Sequence, residues 1–485
     1  MFLPKSLSNL HPLKSTTITV TVPTLVSCFQ IQLNRFVVVN KRRQSSLSSS
    51  SSSSLTSLSP PISIPSPIQR PHLKPQQQLT ESDSKDPEIP ELLRSQVPKG
   101  YRQPIPSIND EIIISMSSGV DSSVTALMYA LHYPKVRGIF MSNWSSDTIM
   151  KDNNTRCTIE KDWEQVQETC KQLNIPCERV NFEKEYWNDV FEPMLNMYSK
   201  GLTPNPDVGC NKFVKFGSMV KHLESYYATN KFFLKDGQRW WLVTGHYARV
   251  LQNESNGQYQ LFRSTYLPKD QSYYLSMVPE KVLSKVLMPV GHYTKPEIRK
   301  IAQFYNLLTK DKKDSQGLCF VSQVGKFKDF LAEYLPSNPG DIVTKDGKVW
   351  GHHTGLWNAT IGQKSGVSMP QGDPNYHGVW FVSEKNIDKN QLVISKFDDI
   401  DAFVKDLIYV DEWTWLNDNL SMDQIKDGIL NGDFVGQYRS LQDPPLQLKD
   451  FGYVDADVDV DNEGRSVRKS YGIRNHCGYE KFNLV

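Results

Sequence analysis

Cysteine is scarce in this chain: there are seven in 485 residues, and no two are spaced as Cys-x-x-Cys. That count is too low for a disulfide-stapled scaffold and fits a reducing compartment in which some thiols stay free for chemistry. Cys157, Cys170 and Cys177 stand at intervals of 13 and 7 residues, which match no zinc-finger spacing, so no metal site is expected. Long apolar runs are missing as well. No stretch approaches 18 apolar residues, which rules out a membrane-spanning helix and gives no reason to expect a membrane partner. The first 80 residues contain no acid: eight Lys and Arg precede the first carboxylate, Glu81. The formal +2 therefore combines a leader of +8 with a body of −6, which has 47 basic and 53 acidic residues. Bulk charge will not draw such a body to nucleic acid, so any nucleic-acid site must gather its cations on one face.

Apolar residues at 38% and aromatics at 11% supply real cores, and the length calls for two or three domains. The leader is rich in Ser, Thr and Leu with scattered basic residues, as in an organellar transit peptide, mitochondrial in preference to plastid. Seven consecutive serines at 48–54 and a Pro-rich stretch ending in Gln76-Gln77-Gln78 follow; such composition cannot offset backbone entropy, and disorder is expected. Order is expected to begin near Ile108.

Glu111-Ile112-Ile113-Ile114-Ser115-Met116 reads as a buried parallel strand. It runs into Ser117-Ser118-Gly119-Val120-Asp121-Ser122-Ser123, after which Val124, Leu127, Met128 and Leu131 recur at helical spacing. Strand, small-residue loop and helix aim free backbone N–H groups at a phosphate. The Gly-Lys-Ser/Thr ending of a Walker loop is absent. The loop resembles instead the pyrophosphate loop of the ATP-pyrophosphatase superfamily, Ser-Gly-Gly-Val-Asp-Ser-Ser, with Ser118 in place of the first Gly. If that position needs a positive φ, Ser costs roughly 1 kcal/mol. Further strands are expected at 136–141, 178–182 and 240–245, with a helix over 162–173. In an open α/β sheet ligands sit at the carboxyl ends of strands, which places the loop, Met141 and Gly245 around one crevice.

Cys210 follows Thr203-Pro204-Asn205-Pro206-Asp207 and precedes Lys212 and Lys215. The prolines suggest a stiff exposed loop. A thiol at the start of the next helix beside two cations is an activated-thiol environment. Cys319 sits in Asp314-Ser315-Gln316-Gly317-Leu318-Cys319-Phe320 after a similar polar run. For a lone cysteine, buried filler is the better bet.

These blocks, with Phe140–Trp144, Thr244-Gly245-His246-Tyr247, Lys269-Asp270-Gln271-Ser272-Tyr273-Tyr274-Leu275 and the stretch 289–302, stand in the order found in the tRNA-specific 2-thiouridylase family. The resemblance runs from about Ile112 to about Gly366. It implies thiolation of the wobble uridine of tRNA (Lys, Glu and Gln types) with ATP and Mg²⁺. Uridine O2 is adenylated, and a persulfide sulfur then displaces AMP. By resemblance Cys319 carries the persulfide, Cys210 closes the disulfide, and Asp207 does acid/base work. Residues 117–123 with Met141 and Gly245 would hold the nucleotide. Asn205, Pro206, Asp207, His246, Lys269, Asp270, Gln271, Tyr438 and Arg439 would meet tRNA. On their own residues, Asp207 is a turn residue, His246 a core histidine as readily as a contact, and 269–271 a solvated turn. A cysteine desulfurase or sulfur-relay protein is implied as donor, and the mitochondrial matrix as location. The flipped base would cost roughly a few kcal/mol to unstack.

Beyond residue 325, Asp346-Gly347 marks a hairpin, and adjacent His352 and His353 should face opposite sides of a strand. The implied architecture is α/β: leader 1–107, parallel-sheet adenylating domain 108–325, small β-rich domain 326–396, and a β-barrel-like tRNA-binding domain 397–485. The barrel reads as divergent or truncated, because Asp455, Asp457, Asp459 and Asp461 stand where closing strands are expected. A local basic surface near Lys212, Lys215, Lys269 and Arg439 should serve tRNA. The alternatives are another adenylating enzyme, such as an amidotransferase-coupled synthetase, or a tRNA-binding relative with reduced catalysis. No glutaminase domain is visible for the first, and the two cysteines argue against the second.

Overall fold

The computed structural model describes residues 37–40, 97–144, 158–230, 234, 237–314, 327–403, 407–410, 421–437, 440–441, 446–454 and 470–475. At its centre lies β1 (Glu111–Met116), whose Ile112, Ile113 and Ile114 are all fully buried. Burial of consecutive residues means that both faces of the strand are covered, the condition of an interior parallel strand. With β2 (Val136–Ser142), β3 (Cys177–Asn181), β4 (Trp240–Val243) and β7 (Val286–Leu287) it forms a parallel sheet in the order β3-β2-β1-β4-β7. Helices α1 (Val120–His132) and α2 (Thr158–Gln172) connect the first three strands. All five strands run the same way, so residues 117–123, Asn143, Thr244 and Met288 share the carboxyl edge.

The strands β5 (Ala248–Asn253) and β6 (Tyr259–Arg263) form an antiparallel pair, joined by the two-residue strand Tyr101–Arg102. The ordered body therefore starts ahead of Ile108. Tyr101 is buried, donates its hydroxyl to Gln260 and meets the Phe262 ring edge-on. Helix α3 (Lys295–Phe304) starts from a Thr294–Glu297 capping box, the reciprocal side-chain arrangement that satisfies two orphan N–H groups.

A second core, built on Ile342, Val382, Leu392 and Ile394, belongs to β8 (Gly340–Thr344), β9 (Val349–His353), β10 (Trp380–Asn386) and β11 (Gln391–Lys396). The sheet order is β9-β8-β11-β10, and β8–β9 is the expected hairpin. His352 is exposed against Asp341, whereas His353 is buried and bonds to the Asn390 carbonyl, so the pair does face opposite ways. Phe330, Leu331, Leu335 and Trp357 join the first core, so packing is continuous across 325/326. Toward the C-terminus, Phe434–Gln437, Leu446–Val454, Ser470–Asn475 and Leu407–Val410 form an antiparallel sheet. Val37–Asn40, within the leader, pairs with Phe434–Gln437 at its edge. The four aspartates at 455–461 lie outside the described residues.

Candidate active site

The loop after β1 turns through Ser118 at φ 58°. The position does take the left-handed conformation, without the glycine that adopts it freely. The side chain supplies the compensation. Ser118 Oγ donates to Asp162 Oδ1 at 2.6 Å and accepts from Lys312 Nζ at 2.9 Å. Helix α1 then begins at Val120, and Ser122 and Ser123 hydroxyls donate back to the Gly119 carbonyl at 3.0 and 2.9 Å. A helix N-terminus leaves its first N–H groups without intrahelical partners, the feature that suits phosphate. Gly245 closes on this turn from the end of β4. A Cβ there would lie 2.9 Å from the Ser122 amide nitrogen and 3.0 Å from the Asp121 carbonyl carbon. Met141, half-buried near the end of β2, flanks the same edge.

Asp121 is the hub of a charge network. Its Oδ1 accepts from Tyr247 Oη at 2.8 Å, and both its oxygens lie 2.8 Å from Lys295 Nζ. Lys295 also pairs with Asp314 at 2.9 Å, where Lys269 at 2.7 Å and Arg299 at 2.6 Å converge. Partial burial opposes ionisation of Asp314, but the hydrogen bonds and charges of Lys269 and Lys295 hold its carboxyl well below the usual range. Burial, and then the Asp121 charge, push the Tyr247 hydroxyl far upward, so it stays protonated as a donor. Lys312 ties Ser118, Asp162 and Gln165 together at 2.7 to 3.0 Å. Sequence reasoning missed Tyr247, Lys295, Arg299, Lys312 and Asp162. The blocks 244–247, with Tyr247, and 289–302, with Lys295 and Arg299, carried a signal; Asp162 and Lys312 had none.

The Cys210 segment is a correction. The two prolines do not hold an exposed loop up to the thiol. A helix starts at Pro206, which occupies a first-turn position where a missing N–H costs nothing. It continues through a π-helical stretch, Cys210–Ser218, into Met219–Thr229. Cys210 therefore lies one turn inside the helix and is 2% exposed. Asn211, 3% exposed, donates to the Asp207 carbonyl at 3.0 Å and leaves its own Oδ1 without a partner. Asp207 is half-buried, and desolvation pushes its carboxyl up against the opposing pull of Lys215. Asn205 and Pro206 are half-buried beside it. The helix meets the sheet edge where Phe216 packs on the His246 ring at 5.4 Å between centroids. His246 Nδ1 bonds to Thr244 Oγ1 at 2.9 Å, and burial, with Lys215 nearby, lowers its pKa to about 3. It is a neutral ring at the edge of the site.

Residues 269–271 are not a solvated turn. Asp270 is 1% exposed and accepts from the Ser264 amide at 2.7 Å and the Ser272 hydroxyl at 2.7 Å, with Arg263 at 3.4 Å. Gln271 Oε1 accepts from the Tyr247 amide at 2.9 Å. Both side chains are turned into the fold and used there, so of the three only Lys269 reaches outward, toward Asp314. The expected basic surface is likewise mostly committed. Lys212 sits 4.9 Å over the Phe213 ring, Lys215 faces Asp207 and His246, and Lys269 is paired. Cys319, Tyr438 and Arg439 lie outside the described residues. Cys170 and Cys177 are free thiols, the first fully buried.

A parallel sheet with a small-residue phosphate loop at its carboxyl edge and a cysteine-bearing helix beside it defines a nucleotide-using α/β enzyme. Residues 110–323 match the family described as tRNA methyl transferase HUP domain, and 328–396 its PRC-barrel domain. The chain is 50% identical over 359 residues to mitochondrial tRNA-specific 2-thiouridylase 1 of Saccharomyces cerevisiae, covering 72% of this chain and 83% of that one. It is 44% identical over 285 residues to tRNA-specific 2-thiouridylase MnmA of Limosilactobacillus reuteri (59% and 71% covered) and 42% over 307 to that of Staphylococcus aureus (63% and 77%). The chain belongs to the tRNA-specific 2-thiouridylase family.

Proposed function

We propose that this protein uses ATP to replace O2 of the wobble uridine of tRNA by sulfur, within the mitochondrial matrix. The observation that carries the reading is the meeting of two unlike devices at one sheet edge. A phosphate loop at 117–123 stands beside the helix bearing Asp207 and Cys210, joined through the His246–Phe216 contact.

Oxygen at C2 is a poor leaving group, so the first step joins it to the α-phosphorus of ATP and releases pyrophosphate toward the N-terminus of α1. Ser118 and Lys312, tied to each other, and Lys295 on Asp121 are the groups that would exchange partners with the phosphates. Met141 and Gly245 line the nucleotide's edge. In the second step the terminal sulfur of a Cys319 persulfide adds to C2 and AMP leaves. The Cys210 thiolate then takes the remaining sulfur, closing a Cys210–Cys319 disulfide and leaving 2-thiouridine. Asp207, with its pKa raised by burial, suits a carboxyl that holds a proton near the base. Asn205, Pro206 and His246 would form the neutral wall of the uridine pocket, with Lys269, Tyr438 and Arg439 toward the rest of the tRNA. Among the described residues no three His, Cys, Asp or Glu side chains converge on a metal position, and Asp121 is committed to Lys295. Magnesium needs only one or two carboxylates beside phosphate oxygens, so we assign the ion to the triphosphate. A cysteine desulfurase or sulfur-relay protein would reload Cys319, and the tRNAs would be those for Lys, Glu and Gln.

The test is incubation with unmodified tRNA, ATP-Mg²⁺ and a sulfide source, read by a sulfur-sensitive gel shift. A thiolated band is expected, and its absence would sink the reading. With a protein persulfide donor, Cys319→Ser should give no band; a band there would refute the persulfide assignment.

A further inference from the structure

Lys385, on β10 of the second domain, is 6% exposed, and its Nζ donates to the Gly201 carbonyl at 3.0 Å and to Thr203 Oγ1 at 3.1 Å. No carboxylate among the described residues pairs with it. An ammonium buried against neutral acceptors is a costly way to fill space, and burial lowers its pKa to about 7. Its two acceptors belong to the other domain, in the short connection between helix Glu192–Ser199 and the helix that starts at Pro206. The same connection is gripped at Gly201, which has φ +74°. A Cβ there would lie 3.2 Å from Leu356 Cδ1 and 3.5 Å from Ile387 Cγ1, both in the second domain. Thr203 is 5% exposed and stands four residues before Asp207 and seven before Cys210.

We propose that Lys385 is a positioning residue: through Gly201 and Thr203 the second domain fixes where the helix carrying Asp207 and Cys210 begins. The inference rests on the proposed role of those two residues. An apolar side chain of equal length would fill the same space without the desolvation cost. A lysine kept only for packing is therefore replaceable by Met at no loss, whereas a positioning lysine is not.

Lys385→Met should keep or raise the melting temperature, lower kcat for tRNA thiolation at least tenfold, and leave KM for ATP within twofold. Thr203→Val, which removes the acceptor at constant shape, should lower kcat about three- to tenfold, and Thr203→Ser should stay within twofold of wild type. The Lys385→Met/Thr203→Val double variant should be no slower than Lys385→Met alone. A Lys385→Met enzyme within twofold of wild-type kcat would overturn the proposal, and so would a Thr203→Ser loss equal to that of Thr203→Val. If Lys385→Met does not fold, the Thr203 pair decides. If wild type itself makes no thiolated tRNA, the proposed function fails separately. Iodoacetamide alkylation of Cys210, followed on its own peptide by mass spectrometry, still tests positioning. It should run at least fivefold faster in whichever of Lys385→Met and Thr203→Val folds, and an unchanged rate would refute the clamp.

Discussion

The two halves of the site are built from opposite materials. On the nucleotide side Asp121, Lys295, Asp314, Arg299 and Lys269 form a continuous chain of charge, with Lys312 and Asp162 beside it. On the sulfur side Val208, Cys210, Asn211, Val214 and Phe216 are buried, and His246 is neutral. Phosphates are always ionised, so they are met by charges already in place that need only exchange partners. A thiol and a carboxyl that must change protonation state are better tuned by desolvation. On the proposed function, two chemistries in sequence would thus occupy two dielectric environments along one strand edge.

The severest test of this division is Cys210→Ser. It should lower thiolation by about three orders of magnitude or more, because the proposed nucleophile is lost, while ATP affinity, measured by nucleotide titration, stays within about twofold. Joint loss of both would mean the halves are one unit. Next comes Asp121→Asn, which leaves Lys295 with Asp314 as its one charged partner among the described residues. Steady-state kinetics should show kcat/KM for ATP falling about 10- to 100-fold, or about 1.4–2.7 kcal/mol, with Cys210 alkylation unchanged.

A smaller pair concerns Ser118. Ser118→Ala keeps the positive φ and loses both side-chain hydrogen bonds, an expected cost of about 2 kcal/mol. Ser118→Gly loses the same bonds but relieves roughly 1 kcal/mol of backbone cost. Denaturant unfolding should therefore rank wild type above Gly above Ala, and Ala equal to wild type would show that the bonds to Asp162 and Lys312 contribute nothing.

The last effect, absent at neutral pH, is a pH dependence. His246 has a folded pKa near 3 against 6.5 for the free side chain. Below pH 6.5 the unfolded chain takes up a proton that the folded form refuses, so the His246 contribution to stability is full above 6.5 and declines on acidification toward 3. His246→Gln should flatten that decline. The ring C–H signals of wild type should not move between pH 8 and 5, and a midpoint near 6.5 would place the ring in water.

The sheet was legible because Ile112, Ile113 and Ile114 announce a strand buried on both faces, and the phosphate loop because its small residues follow directly. The positive φ at Ser118 could be expected from the loop pattern alone. What repaired it could not, since Asp162 and Lys312 stand 44 and 194 positions away and are ordinary surface types in sequence. Local rules also misread Cys210, because proline opposes a helix interior yet suits a first turn, and only the fold shows which applies. Asp270 failed for another reason: a charged triplet reads as solvated unless its internal donors, here Ser264 and Ser272, are known to surround it. Lys385 carried no signal at all, since its partners lie more than 180 positions upstream.

Arg299 also donates to the carbonyls of Lys310 and Lys312, at 2.9 and 2.6 Å, besides its pairing with Asp314. Five peptide links separate Asp314 from Cys319, and at about 3.3–3.6 Å per residue they reach no farther than roughly 18 Å. The proposed sulfur-bearing thiol is thus on a short leash whose fixed end is the ion-pair hub of the nucleotide loop. Any rearrangement of Asp121 and Lys295 that frees or tightens Asp314 moves the anchor of that leash. On the proposed roles, that length of chain sets the farthest the sulfur can be delivered from the nucleotide loop.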